Sequence, residues 1–442
     1  MILRFIAENI FSFKDAVEFN TFPSSKSHSH SHHRIACGHT TALRLSAIYG
    51  ANGAGKSNLL AAVNLLRGLV LSGSLNAVRD IEGLAFRFNS ICKSSPSGLA
   101  IEFFESGKVF YYHLEFKARE IVLEELLLSK RTKDVEIFRR EGNNIKLNGD
   151  MLTKGINDNF MDALDRIVRP DMLLLSFFGQ YYPAEVEFVY EAYSWFKNRL
   201  RIVLPDTISG YVPHLFDVSV SFKQLVNETI PELKTGISSL DVQKTEISEE
   251  TVKGNPLLVE AIRNARNNPG EPQIVDGDST GEVSNVVLED GKVWLKKLVA
   301  EHEDLDGNTY TESISIESDG TRRLIEYMPL FFSITQTDGV YFVDEIERSV
   351  HPILIKSIVE KISAIKEAGG QLIFTTHESG LLDQDIFRPD EIWFAQKDSE
   401  QATKFYPLSD YNIHKTANIE NGYLAGRYGG IPFLSNLKDL HW

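Results

Sequence analysis

The stretch GANGAGKS, Gly50 to Ser57, fits the pattern G-x-x-x-x-G-K-[ST] and follows a short apolar run, LRLSAIYG, that ends in glycine. Glycines at 50, 53 and 55 let the backbone turn its N–H groups towards phosphate oxygens, and a following helix N-terminus adds favourable partial charge. Lys56 is placed to reach the β and γ phosphates and Ser57 to hold Mg²⁺. The expected ATP-binding set is Gly50, Asn52, Gly53, Ala54, Gly55, Lys56, Ser57 and Asn58.

A second chemical group is GVYFVDE, which ends an apolar run with Asp344 and Glu345. Hydrolysis of a phosphoanhydride needs one carboxylate for the metal shell and one to orient or deprotonate the attacking water. Asp344 suits the first role and Glu345 the second. The competing explanation is that both acids cap the next helix. Further on, QLIFTTHE closes another apolar run at His377, a group able to hydrogen-bond a γ-phosphate or the water. No N-K-x-D motif for guanine occurs, since AQKDSE near Lys397 has the wrong spacing, so ATP is favoured over GTP.

These groups need strands that end beside one another. LRLSAIYG followed by a helical pattern from Lys56 to about Leu71 reads as strand, loop, helix. GVYFVDE, a helix from about Pro352 to Glu367 and GGQLIFTTHE read as strand, helix, strand with parallel-sheet character. The opening LRFIAENIFSFKDAVEF alternates like one or two strands around a turn near Asn9, and Leu99 to Lys130 reads as successive antiparallel strands. From about 150 to 305, AEVEFVYEAYSWFKNRL and NPLLVEAIRNARNN are helical runs between Pro, Gly and acidic loops, which suggests an inserted helical lobe. The expected division is 1–140, 141–309 for the lobe, and 310–442, with no internal repeats.

The chain has 442 residues, 43% hydrophobic and 24% charged, the balance of a cored globular protein. A formal charge of −15 argues against a generally basic, nucleic-acid-coating surface. Two cysteines, Cys37 and Cys92, are too few for a disulfide framework. No uncharged stretch reaches the length of a membrane helix, and the expected location is the cytoplasm.

The order of phosphate loop, small-Gly loop, Asp-Glu strand end and strand-end His resembles the ABC-type ATPase superfamily, in the branch with SMC, RecF and OLD proteins. LRFIAENIFSFKD is similar to that branch's first strands. More narrowly, VDEIERSVHPIL, FTTHESGLLD, DEIWFAQKD and NIENGYLAGRYGGIPFL resemble ATP-binding proteins of phage-defence and abortive-infection systems of the RloA, AbiL and PARIS AriA kind. The resemblance covers about 1–130 and 310–442. It implies an α/β fold: an ABC-type P-loop domain with a mixed, mainly parallel core sheet, an antiparallel β subdomain and an inserted, mainly helical lobe. It also implies an ATP- and Mg²⁺-dependent sensor or scaffold that responds to a phage-encoded trigger and controls a separate effector such as a TOPRIM-type nuclease. About 65 residues follow His377, too few for such a nuclease, so the effector is expected on another polypeptide. The alternative is a DNA-binding repair or recombination ATPase like RecF or SMC.

In this superfamily a signature loop from a second copy closes over the γ-phosphate. ESDGTRRLIEY, 317–327, is the matching segment, so Ser318, Gly320 and Thr321 are expected to act in trans within an ATP-sandwiched dimer or higher homo-oligomer. Asp319 departs from the usual small residue there. No Gln loop can be assigned, because FRFN at 86–89 lacks Gln.

Weaker signals remain. SHSHSHH at 27–33, with Cys37 and His39 close by, carries zinc-ligand types in no standard spacing, and reads as a mobile polar or substrate-sensing loop. Arg322 and Arg323 read as solvated, FVYEAYSWF as core or interface, and Lys296–Lys297 as a short basic patch. GRYGG at 426–430 reads as a partner-docking segment or as a pair of tight turns.

Overall fold

The computed structural model describes residues 1–149, 164, 166–205, 210–276, 283–414 and 417–430. They form two compact units, Met1–Pro205 with Ile334–Glu347 and Lys356–Trp442, and Asp206–Ser333 with Arg348–Ile355.

The first unit holds two large sheets and a two-stranded one, Arg34–Cys37 with Thr40–Leu43. Its six-stranded sheet runs Leu200–Val203, Val340–Val343, Gln371–Thr375, Leu45–Gly50, Ile392–Lys397, Thr403–Pro407. The first five strands are parallel and the last is antiparallel. The inner strands Leu45–Gly50 and Gln371–Thr375 are buried at every residue, as strands covered on both faces must be. The seven-stranded sheet is antiparallel throughout, in the order Asn144–Leu147, Val135–Glu141, Glu120–Ser129, Lys108–Lys117, Ser97–Glu105, Ile2–Glu8, Val17–Asn20. Asn9, at positive φ, turns the chain out of the first strand as expected.

A large core of the first unit draws on both of these sheets. Leu59, Leu60, Val63, Leu66 and Val70 from the helix Lys56–Ser72 join Phe5, Ile101, Phe103 and Phe342 of the sheets. Trp195 and Phe196 of the helix Glu187–Asn198 enter the same core, with the Trp195 ring stacked 4.2 Å from that of Phe103. The aromatic-rich stretch FVYEAYSWF is therefore core. The helix Leu174–Tyr181 starts under the buried carboxyl group of Glu124, which accepts from the N–H groups of Leu174 and Leu175 at 2.8 and 2.9 Å. This satisfies donors that a helix start otherwise leaves orphaned.

The second unit departs from the expected mainly helical lobe. It has the helices Val212–Val218, Val220–Thr229 and Pro256–Asn267, and a five-stranded antiparallel sheet. The sheet runs Ser239–Glu246, Lys292–Glu303, Val283–Glu289, Gln273–Asp276, with Thr309–Ser313 also paired to Lys292–Glu303. The α/β class stands, but charged side chains interleaved in KVWLKKLVAEHE hide a strand that buries Leu298 and Ala300 on one face and Val293 on the other, in two separate cores. The unit also starts at 206 rather than 141, because the two helices before it join the first unit's core and Leu200–Val203 pairs with Val340–Val343. Part of the acidic loop expected between 267 and 283 lies outside the described residues, as does the end of NIENGYLAGRYGGIPFL beyond Gly430.

Lys296 belongs to no basic patch. Its side chain is buried, 2.7 Å from Asp217 and bonded to Glu289. The segment 426–430 is a pair of turns: Gly426, Gly429 and Gly430 have positive φ, and the buried Tyr428 ring stacks on Phe394.

Candidate functional site

Three parallel strands of the first unit end side by side. Thr375 pairs with Ile48, and Phe374 with Val343, so the residues after Gly50, Val343 and Thr375 emerge at one edge of the sheet. In open parallel sheets that carboxyl edge is where ligands bind. The phosphate loop, Asp344–Glu345 and His377 all lie there.

The phosphate loop has the backbone its sequence predicts. Gly55 caps the helix Lys56–Ser72 at φ +101°, and a Cβ there would lie 2.2 Å from Thr403 Oγ1 and 2.8 Å from Ser12 Oγ. Both the dihedral and the close approach require glycine. Behind the loop, Thr403 Oγ1 donates to Ala54 O at 2.8 Å and Asn58 Nδ2 donates to Ser12 Oγ at 2.7 Å. Asn52 and Gly53 are exposed on its outer side, and Gly50 closes its parent strand.

Ser57 Oγ donates to Asp344 Oδ1 at 3.1 Å. Asp344 is buried, and the Thr375 hydroxyl donates to the same carboxylate oxygen while accepting the Glu345 N–H at 2.8 Å. Thr375 therefore fixes both acids at once. Glu345 has φ +50°, a left-handed conformation that is unfavourable for a non-glycine residue and turns the chain sharply after the strand. Its carboxylate is half-exposed, with Oε1 4.0 Å from His377 Nε2.

Lys56 Nζ donates to Gly50 O at 2.8 Å and to His377 Nε2 at 3.0 Å. Burial lowers the Lys56 pKa to about 8, partly opposed by Asp344, Glu347 and Glu345. Desolvation, and then the Lys56 charge, push His377 below its ordinary value, which leaves the imidazole neutral and able to accept from the ammonium. The His377 backbone N–H donates to Glu347 Oε1 at 2.6 Å, and Glu347 Oε2 is buried without a hydrogen bond among the described residues.

The sequence pattern of the family described as "AAA domain, putative AbiEii toxin, Type IV TA system" matches residues 45–150 and 186–383, well over half of the chain. The chain belongs to this family. It is a P-loop nucleotide-binding ATPase-type protein. Solved structures that align with it include an SmcHead bound to the C-winged helix domain of ScpA, at 16% identity, TM-score 0.40, covering 92% of this chain and 97% of that one. The SMC head domain from Thermotoga maritima aligns at 14% identity and TM-score 0.37, covering 93% and 99%. An Smc head domain with an extended coiled coil, bound to the C-terminal domain of ScpA derived from Pyrococcus furiosus, aligns at 15% and 0.35, covering 92% and 96%. No curated protein matches the chain.

In this AAA-domain chain the other expected residues, Ser318, Gly320 and Thr321, belong to the second unit. Ser318 Oγ accepts the Thr321 N–H at 3.2 Å and bonds its hydroxyl at 2.9 Å, so it caps the helix Asp319–Gln336. A Cβ on Gly320 would lie 2.6 Å from Ser349 O, so the loop after Glu347 packs directly on this helix start. Asp319 is exposed and pairs with Arg322, a favourable place for an acid at a helix N-terminus. Arg323, expected to be solvated, is buried over the Tyr327 ring at 4.6 Å and pairs with Glu326 at 3.1 Å.

Sequence reasoning missed Thr375, Glu347, Ser12 and Thr403. Thr375 and Glu347 stand within three residues of motif residues, which was the available signal. Ser12 and Thr403 reach the phosphate loop from opposite ends of the chain and carry no local pattern.

Proposed function

We propose that this chain hydrolyses ATP to ADP and phosphate, and that ATP binding and hydrolysis hold and release a separate effector in anti-phage defence. The observation that carries the reading is the convergence of Lys56, Ser57, Asp344, Glu345 and His377 at one sheet edge. Gly50, Asn52, Gly53, Ala54, Gly55 and Asn58 belong to the loop whose N–H groups and helix start cradle the phosphates. Lys56 leaves His377 for the β and γ phosphates, and the freed imidazole becomes a partner for the γ-phosphate. Glu345 is the base that takes a proton from the attacking water.

Ser57 Oγ and the buried Asp344 carboxylate are hard oxygen donors 3.1 Å apart, a donor set that suits Mg²⁺ with its remaining positions filled by phosphate and water. Bound there, Mg²⁺ supplies charge neutralisation across the β and γ phosphates. Thr375 holds the Asp344 oxygen and the Glu345 backbone so that both acids are preorganised.

Ser318, Gly320 and Thr321 act in trans, with the hydroxyl and helix start of a second copy meeting the γ-phosphate. The segments similar to RloA, AbiL and PARIS AriA proteins support a phage-triggered sensor whose effector, of TOPRIM-nuclease type, is a separate chain. The burial of Lys296 against Asp217 and Glu289 counts against the alternative of a DNA-binding repair ATPase. Phosphate release by the purified chain and by Lys56→Ala tests the first half, and equal rates sink the assigned site. Co-purification with the product of the neighbouring gene, with and without ATP, tests the second. No partner under any nucleotide condition removes the scaffold role.

A further inference from the structure

The histidine-rich loop is ordered, contrary to the mobile loop its composition suggests. A tight turn over Ser31–His33 follows His30, which has a left-handed backbone, φ +43° and ψ +54°. That conformation is unfavourable for histidine and persists here because the ring is held elsewhere. The His30 and His33 rings stack at 5.0 Å, and the His32 ring meets His33 edge-on at 4.5 Å. One ring nitrogen from each of His30, His32 and His33 lies within 4.8 Å of the other two.

Each ring is also hydrogen-bonded to segments distant in the sequence. His30 Nε2 bonds Gln384 O at 2.8 Å, and His32 Nε2 bonds Ser363 O at 2.8 Å. His33, fully buried, has Nδ1 2.9 Å from Glu391 Oε1 and Nε2 3.0 Å from Ser363 O. The Nδ1 atoms of His30 and His32 have no hydrogen bond among the described residues. Ser363 O is shared by three donors, Arg44 Nη2 at 2.9 Å and the two imidazoles, although a carbonyl has two lone pairs. His33 Nε2, which also lies 3.1 Å from Ser363 Oγ, can leave that carbonyl without orphaning it.

We propose that His30, His32 and His33 form a zinc site, with His30 Nδ1, His32 Nδ1 and His33 Nε2 as ligands and water in the fourth position. Neutral imidazoles suit Zn²⁺, and metal-bound histidines characteristically donate their other N–H to a backbone carbonyl or a carboxylate. Gln384 O, Ser363 O and the Glu391 carboxylate are those acceptors. Glu391 also offsets the Arg44 guanidinium, while Asp390 is paired with Arg388 at 2.8 Å. A tetrahedral zinc brings its ligand nitrogens to about 3.3 Å from one another, so the site closes by at most roughly 1.5 Å on binding. A cavity of about 580 Å³ lined by His28, Ser29, Gln384 and Asp385 adjoins the loop. Zinc there would clamp the loop to the segments 363 and 384–391, more than 300 residues away in sequence.

The test is zinc titration of the chelator-stripped, tag-free full chain, with bound metal counted by elemental analysis and thermal unfolding followed alongside. One tightly bound zinc per chain is expected, with a midpoint raised by several degrees. His30→Ala/His32→Ala keeps the buried His33 and should lose that zinc and the shift, whereas His28→Ala/His39→Ala should keep both. The d–d absorption of Co²⁺ in place of Zn²⁺ should report a tetrahedral site in the parent and in single His32→Asn a loss of it. No zinc bound by the parent, or equal zinc in the parent and the His30/His32 variant, overturns the proposal.

Discussion

Lys56 Nζ donates a hydrogen bond to His377 Nε2 at 3.0 Å, which joins the phosphate-loop lysine to the histidine at the end of a neighbouring parallel strand. The ammonium is buried and also held by Gly50 O. A γ-phosphate would replace a neutral acceptor with an anionic one, a stronger partner for the same donor.

Lys56→Ala removes the loop's one phosphate-seeking side chain. Turnover of ATP should fall by about 10²- to 10³-fold, the usual effect of losing one transition-state donor, with apparent ATP affinity reduced as well. A phosphate-release assay beside nucleotide titration reads both.

Glu345→Gln keeps the size of the side chain and removes its basicity. ATP binding should persist while turnover falls by about 10²- to 10⁴-fold, the range for a lost general base. Single-turnover kinetics separate this from a binding defect, and a variant that turns over at the parent rate strips Glu345 of the role.

Thr375→Val keeps the shape but leaves the Glu345 N–H and an Asp344 oxygen without their hydroxyl partner. A loss of about 1–3 kcal/mol in unfolding free energy is expected, as for buried polar groups left unpaired. Turnover should fall with ATP affinity nearly unchanged, and Thr375→Ser should recover both. Recovery by Ser but not by Val is the outcome that separates positioning from packing.

The Lys56 shift sets a pH dependence. Its pKa falls from 10.5 to about 8 on folding, so between these values the unfolded chain binds more protons than the native one, and stability without nucleotide rises with pH across the window. Bound phosphate favours the protonated amine, so ATP affinity should hold steady below about pH 8 and weaken above it. Lys56→Arg, which stays charged, should flatten that profile in a titration series from pH 7 to 9.5.

Ser318→Arg places a bulky cation at a helix start whose cap the serine supplies. Nucleotide binding by the single chain should be retained while ATP-dependent association and turnover are lost. Light scattering with and without ATP checks the association, and parent-rate hydrolysis by the variant would reduce the segment to a helix cap.

The placement of the Gly50–Ser57 loop, Asp344, Glu345 and His377 at strand ends was legible because each rests on a short contiguous pattern after an apolar run, where local backbone chemistry dictates residue type. The parallel sheet followed from the same runs, since strands buried on both faces read as unbroken apolar stretches. The second unit's sheet was not legible. Its strands carry lysines and glutamates whose fate depends on partners elsewhere in the fold, as Lys296 shows by being buried between Asp217 and Glu289. Composition likewise made residues 27–33 look like a solvated loop, yet Glu391 and the carbonyls of Ser363 and Gln384 gather three of its imidazoles. The sequence by itself determined which groups could meet a nucleotide, because that chemistry is local. Only the tertiary structure decided that Thr375 ties Asp344 to Glu345, that Lys56 rests on His377 and that the histidines converge. Those contacts join residues about 30 to 360 positions apart, and a side chain's partners at that separation are set by packing rather than by neighbours in the chain.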